Sequence, residues 1–137
     1  MTSSVLLDTC AALWTVDDSI PEPAADVLST AYRAGIPTYV SPVTAWEIGA
    51  MARKGRFRAT CSPQAWFERL MAVPTMRLAP LTPEILLASC FLPGILSCDP
   101  ADRIIAATAR ECGFILMTYD RGLLDYAAEG HLRVVEC

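Results

Sequence analysis

Short apolar runs alternate along the chain with longer amphipathic stretches, and clear local signals mark the joints between them. Val5-Leu6-Leu7 reads as a buried strand, with a helix beginning at about Thr9. Pro21-Glu22-Pro23 opens a second helix that runs to about Ala34 and stops at Gly35, a residue suited to the left-handed backbone of a helix end. Residues 38–40 form a short strand feeding a helix over about 42–54, closed by Gly55. Another helix covers roughly 63–71, Arg77 and Leu78 lie in an extended segment, and helices follow over 83–91 and 100–112, the last stopped by Gly113. Residues 114–118 are a second strongly apolar strand, and 132–135 a final one. Four helix starts share one grammar: Ser41-Pro42, Ser62-Pro63, Thr82-Pro83 and Asp99-Pro100. Each sets a capping side chain before a proline at the first helical position, where a missing N–H costs nothing.

Strands alternating with helices imply an α/β fold, a parallel sheet covered by helices on both faces. The 137 residues suit one domain, and no repeat or linker divides them. A composition that is 53% hydrophobic and 19% charged excludes a disordered chain. No apolar run is long enough to span a bilayer, and no basic leader precedes Val5, so a cytoplasmic protein with no membrane partner is expected. Cys10, Cys61, Cys90, Cys98, Cys112 and Cys137 contain no C-x-x-C pair, and His131 is the only histidine. Structural zinc is therefore not expected, and the thiols read as small core residues of a reduced protein.

The acids carry the candidate chemistry. In open α/β sheets, ligands bind beyond the carboxyl ends of the strands. Asp8 directly follows the first strand, and Asp120 comes two residues after Thr118, so two strands deliver acids to one rim. Each Asp could equally be a turn or cap residue. Glu47 interrupts a helical stripe of Val43, Ala50 and Met51, so a cation should meet it, either an arginine from another element or a metal ion. Asp102 lies in the first turn of its helix, where the dipole favours acids, yet it shares a face with Ile105, Ala106 and Ala109. Asp99 is the cap of that helix. Four acids without a lysine or histidine nearby in sequence suit a hard divalent ion with oxygen ligands. A single histidine leaves no pair of imidazoles for acid–base cleavage of RNA. Net charge is −4, which is unfavourable for a nucleic-acid partner but not decisive, because bound ions reverse the local field. Arg53, Lys54, Arg56 and Arg58 crowd the end of the Glu47 helix, either complementing its dipole or gripping RNA phosphates beside the acids. Trp14, Trp46 and Trp66 read as core or dimer-interface residues.

Four segments in order carry a family resemblance: Ser4-Val5-Leu6-Leu7-Asp8-Thr9, Ser41 to Ile48, Asp99 to Ala109, and Thr118-Tyr119-Asp120. Together with Leu81-Thr82-Pro83-Glu84-Ile85 and Leu92-Pro93-Gly94, they resemble the PIN-domain family, most nearly the VapC-type toxins of bacterial toxin–antitoxin pairs. The resemblance implies a three-layer α/β/α sandwich with a mainly parallel central sheet. It implies an endoribonuclease that uses Mg²⁺ or Mn²⁺, cutting RNA phosphodiesters by metal-activated water and blocking translation. By position, Asp8 and Asp102 are the expected direct metal ligands, and Glu47 and Asp120 complete the quartet directly or through water. Thr9 and Thr118 would orient waters or carboxylates, and Asp99 belongs to the motif beside its capping role. A homodimer and a cognate VapB-type antitoxin are the implied protein partners. A phosphoaspartyl phosphatase would need an acid where Cys10 stands. A non-catalytic binding module, which predicts no metal dependence, is the remaining alternative.

Overall fold

The computed structural model describes residues 3–137. The chain runs β1 (Val5–Leu7), α1 (Thr9–Val16), α2 (Glu22–Arg33), β2 (Thr38–Val40), α3 (Pro42–Arg53), α4 (Pro63–Met71) and β3 (Met76–Leu78). It continues with α5 (Pro83–Cys90), α6 (Pro100–Cys112), β4 (Ile115–Thr118), α7 (Arg121–Ala128) and β5 (Val134–Glu136). The five strands form one sheet in the order β3-β2-β1-β4-β5, with every pair parallel. The sheet is thus wholly parallel, one step beyond the expected mainly parallel arrangement.

Alternation along the strands builds two cores. Val5 and Leu7 of β1 point to one face, with Val40, Met117, Ala11, Ile48, Trp66 and Leu70. Leu6 and Leu116 point to the other, against Ile105, Ala106 and Ala109 of α6 and Leu123 of α7. Helices therefore cover both faces, and all three residues of β1 are buried. The small side chains of α6 let it lie close to the sheet. Every proline-marked start is a capped helix. The Ser41, Ser62, Thr82 and Asp99 side chains accept from Val43, Ala65, Ile85 and Asp102 N–H at 3.1, 3.1, 3.2 and 3.1 Å. Gly113 ends α6 at φ 69°, in the left-handed region that favours glycine.

Two features, helix α7 and the cysteines, depart from expectation. Helix α7 has no proline at its start and a glycine, Gly122, in its first turn, so its signal is weak; the structure secures it by burying Leu123 and Tyr126. None of the six free cysteines is fully buried: Cys61 and Cys137 pack against the core from its edge, whereas Cys90 and Cys98 are exposed. Trp66 is 2% exposed in the core, whereas Trp46 is 62% exposed, on the side of α3 turned away from both cores. No helix of the described residues is long and apolar enough to cross a membrane.

The strand order places the functional end. From β1 the chain builds outward through β2 to β3, then crosses back to lay β4 on the opposite side of β1. This reversal opens a crevice at the carboxyl ends of β1 and β4, which is where Asp8 and Asp120 stand.

Candidate active site

Asp8 continues β1 by one residue, donating its backbone N–H to Met117 at 3.1 Å, and then caps α1. One carboxylate oxygen accepts from Ala11 N–H at 2.8 Å, and the other accepts the Thr118 hydroxyl. The Thr118 hydroxyl oxygen in turn accepts the Asp120 N–H at 3.0 Å. One fully buried hydroxyl thus ties together the acids that end two adjacent strands. Asp120 also caps α7, accepting from Leu123 N–H at 3.0 Å. On the facing side α3 presents Glu47, which accepts the Thr9 hydroxyl, and the Thr9 and Thr44 hydroxyls lie 3.1 Å apart. Thr44 was not foreseen as a site residue, although its spacing of three from Glu47 places both on one helix face. Asp102 opens α6 beneath its Asp99 cap, and its carboxylate has no hydrogen-bond partner among the described residues. Asp8, Asp99 and Asp120 are therefore all helix caps.

Charge is the unresolved part of this arrangement. Burial first, and then Asp99, Asp120, Glu47 and Asp8, push the Asp102 carboxyl up to about 7. Burial is also the main cause that raises Asp8 and Glu47, opposed by the hydroxyls of Thr118 and Thr9 respectively. No arginine or lysine answers them. The one ion pair among the described residues joins His131 and Glu129 at 3.8 Å, elsewhere on the surface. An arginine partner for Glu47 is therefore excluded, and its direct contact is a threonine hydroxyl.

The donor set is all oxygen and electrostatically strained, which is what a hard divalent cation requires. No three acidic, histidine or cysteine side chains of the described residues meet around a single point. Such a donor set would fit a cation held by one or two carboxylates and otherwise by water and substrate oxygens. The site is a rim rather than a cavity. A hollow of about 370 Å³ between α2 and β3 contains no acid.

The basic segment is divided. Arg53, Lys54, Arg56 and Arg58 are all exposed. Lys54 and Arg56 line a groove of about 230 Å³ with Trp46, Glu47 and Asp99, between α3 and the start of α6. Arg58 lines a neighbouring hollow, and Arg53 lines neither. Arg103, adjacent to Asp102 in sequence, turns away from the acids and donates to the carbonyls of Ser89, Leu96 and Ser97 at 2.9, 3.5 and 3.4 Å. It tethers the loop that leads into Asp99, a role the sequence reading did not assign.

Residues 5–129 match the sequence pattern of the PIN domain. The chain is 30% identical over 121 residues to Ribonuclease VapC22 of Mycobacterium tuberculosis, covering 88% of this chain and 90% of that protein. Among solved structures, the fold resembles VapBC2 from Rickettsia felis bound to a promoter DNA fragment, with a TM-score of 0.66 at 11% identity over 96% of this chain and 97% of that one. It also resembles DNA-bound VapBC from Salmonella typhimurium, with a TM-score of 0.61 at 18% identity over 98% of each chain. The parallel sheet, the acids at its switch point and the near end-to-end match agree: this chain belongs to the PIN-domain family, in its VapC-type group.

Proposed function

We propose that the chain is a Mg²⁺- or Mn²⁺-dependent endoribonuclease, the toxin of a VapBC-type toxin–antitoxin pair, which cuts RNA in the cytoplasm and so blocks translation. The observation that carries this reading is the rim of Asp8, Glu47, Asp99, Asp102 and Asp120, mutually repelling and without a cationic side chain to neutralise it. It is supported by the ribonuclease name of the 30% identical relative and by the VapBC titles of the structural neighbours.

Asp8 and Asp102 would hold the cation, with Glu47 and Asp120 reaching it through water. When bound, the ion supplies Lewis acidity, lowering the pKa of water and countering charge on phosphoryl oxygens. The chain's own residues do the rest. Thr118 fixes the Asp8 carboxylate and Thr9 fixes Glu47, so neither acid must reorganise during turnover. Lys54 and Arg56, in the groove beside Glu47, are placed to hold a substrate phosphate, and Arg53 and Arg58 extend that basic edge. A homodimer is part of the proposal. Leu87, Phe91 and Ile95 stand 63%, 83% and 90% exposed on α5 and the loop after it, an apolar surface that a second copy would cover.

The test is cleavage of a labelled RNA by the purified chain in Mg²⁺, in Mn²⁺ and in chelator. Asp8→Asn and Asp102→Asn should each abolish cutting while remaining folded by circular dichroism. Cutting that persists in chelator, or in either variant at the parent rate, would overturn the mechanism. Binding without any metal-dependent cutting would leave a non-catalytic module. The product of the adjacent reading frame should co-purify with the chain and silence it.

A further inference from the structure

Beside the acid rim lies a second feature, of which the functional reading above uses only Arg56 and Arg58. A hollow of about 420 Å³ is lined by Trp14, Asp17, Arg56, Arg58, Trp66 and Arg69, among others. It draws these residues from α1, from α4 and from the segment between α3 and α4. Three arginines line it against one acidic residue, in a protein whose net charge is −4. None of the three forms an ion pair among the described residues.

The aromatic groups are fixed. Trp14 stacks on Tyr119 with ring centroids 4.5 Å apart and planes 10° from parallel, and it also lines the hollow. Tyr119 sits between Thr118, which holds Asp8, and Asp120. Trp66 is 2% exposed, and Phe57 packs edge-on against it at 6.2 Å. The hollow adjoins the groove at Glu47 and Asp99, with Met51 and Arg56 lining both.

We infer that this hollow is a nucleobase pocket, in which a base of single-stranded RNA next to the scissile phosphate stacks on Trp14 while Arg58 and Arg69 hold the adjoining phosphates. The inference rests on the ribonuclease reading and names a binding position for its substrate. Arginine beside a rigid aromatic face is the combination that binds single strands, since every base has a π-face and every linkage a charge. An acidic protein partner would answer the arginines but would make no use of the indole that Tyr119 holds in place. The stack with Tyr119 also ties the pocket to the acids, so a base seated there would set the register of the strand at Asp8 and Asp120.

The test is fluorescence-anisotropy binding of a labelled single-stranded oligoribonucleotide to the full chain in EDTA, with an abasic oligomer of the same length as a second probe. Trp14→Leu should weaken binding of the normal oligomer by roughly 5- to 150-fold, the range for loss of one stacked base. It should leave binding of the abasic oligomer unchanged, which also shows that the variant is folded. The double variant Arg58→Gln, Arg69→Gln should weaken both probes and make the slope of log K against log salt shallower by about 1.4, at ~0.7 per charge for single strands. Equal losses of both probes on Trp14→Leu, an unchanged salt slope, or no binding by the parent would overturn the pocket. So would unchanged RNA affinity accompanied by loss of binding to the product of the adjacent reading frame, which would assign the hollow to a protein. Cleavage in Mg²⁺ is scored separately, so its absence refutes the nuclease reading and not the pocket.

Discussion

Asp102→Asn should make the metal-free protein more stable at alkaline pH while destroying its proposed activity. The ordinary aspartate value is 3.8, and the folded chain holds Asp102 at about 7 through burial and the repulsion of four other acids. That gap corresponds to about 4 kcal/mol for a group fully shielded from solvent. Asp102 is only half-buried, so screening brings the cost to roughly 1–2 kcal/mol. Against this stands the favourable placement of a negative charge in the first turn of α6, worth about 0.3–1 kcal/mol. Burial, with repulsion added to it, outweighs the dipole by on the order of 1 kcal/mol, or a melting temperature roughly 3–5 °C above the parent for a chain of this size. The sign follows from linkage: with the folded pKa above the unfolded one, the folded state holds more protons between about 4 and about 7, and stability falls as pH rises through that window. The advantage of the variant should therefore be absent near pH 4 and complete above pH 8. Mg²⁺ should stabilise the parent at pH 8 and narrow the difference, because the ion binds the native carboxylates. Thermal melts of both proteins in EDTA and in Mg²⁺ across this range provide the measurement. A variant that melts at or below the parent at pH 8 in EDTA would refute the claim that the Asp102 charge is half-buried and uncompensated.

Three further outcomes follow from the same contacts. Thr118→Val removes the hydroxyl that serves both Asp8 and Asp120, so it should cost ~1–3 kcal/mol in thermal melts and raise the Mg²⁺ concentration needed for cleavage. Arg103→Lys should fail to restore what Arg103→Ala loses, about 1–3 kcal/mol by denaturant titration, because an ammonium cannot match the forked guanidinium that reaches the carbonyls of Ser89, Leu96 and Ser97. Timed alkylation read by mass spectrometry should label exposed Cys90 and Cys98 first and Cys137 late, since burial and then the charges of Asp8 and Cys10 push the Cys137 thiol up to about 11.

The amino-acid order by itself determined the strand–helix alternation, four helix starts and the identity of the acids. These are local matters: a capping side chain before proline, a glycine at a helix end and an apolar run are legible without knowing what packs where. Helix α7 escaped because its start at Asp120 lacks the proline and carries Gly122, so that Leu123 and Tyr126 are secured by packing rather than by propensity. Only the tertiary structure could decide what meets Glu47. Thr9 lies 38 residues away in sequence, and the choice between a hydroxyl, an arginine and a metal ion turns on which strand lies beside which. The same holds for Thr118, which reaches Asp8 across 110 residues because β4 crosses back to pair with β1. Sequence spacing can suggest that acids share a rim; their burial, their mutual repulsion and the absence of an answering cation arise only when the sheet order brings distant ends together.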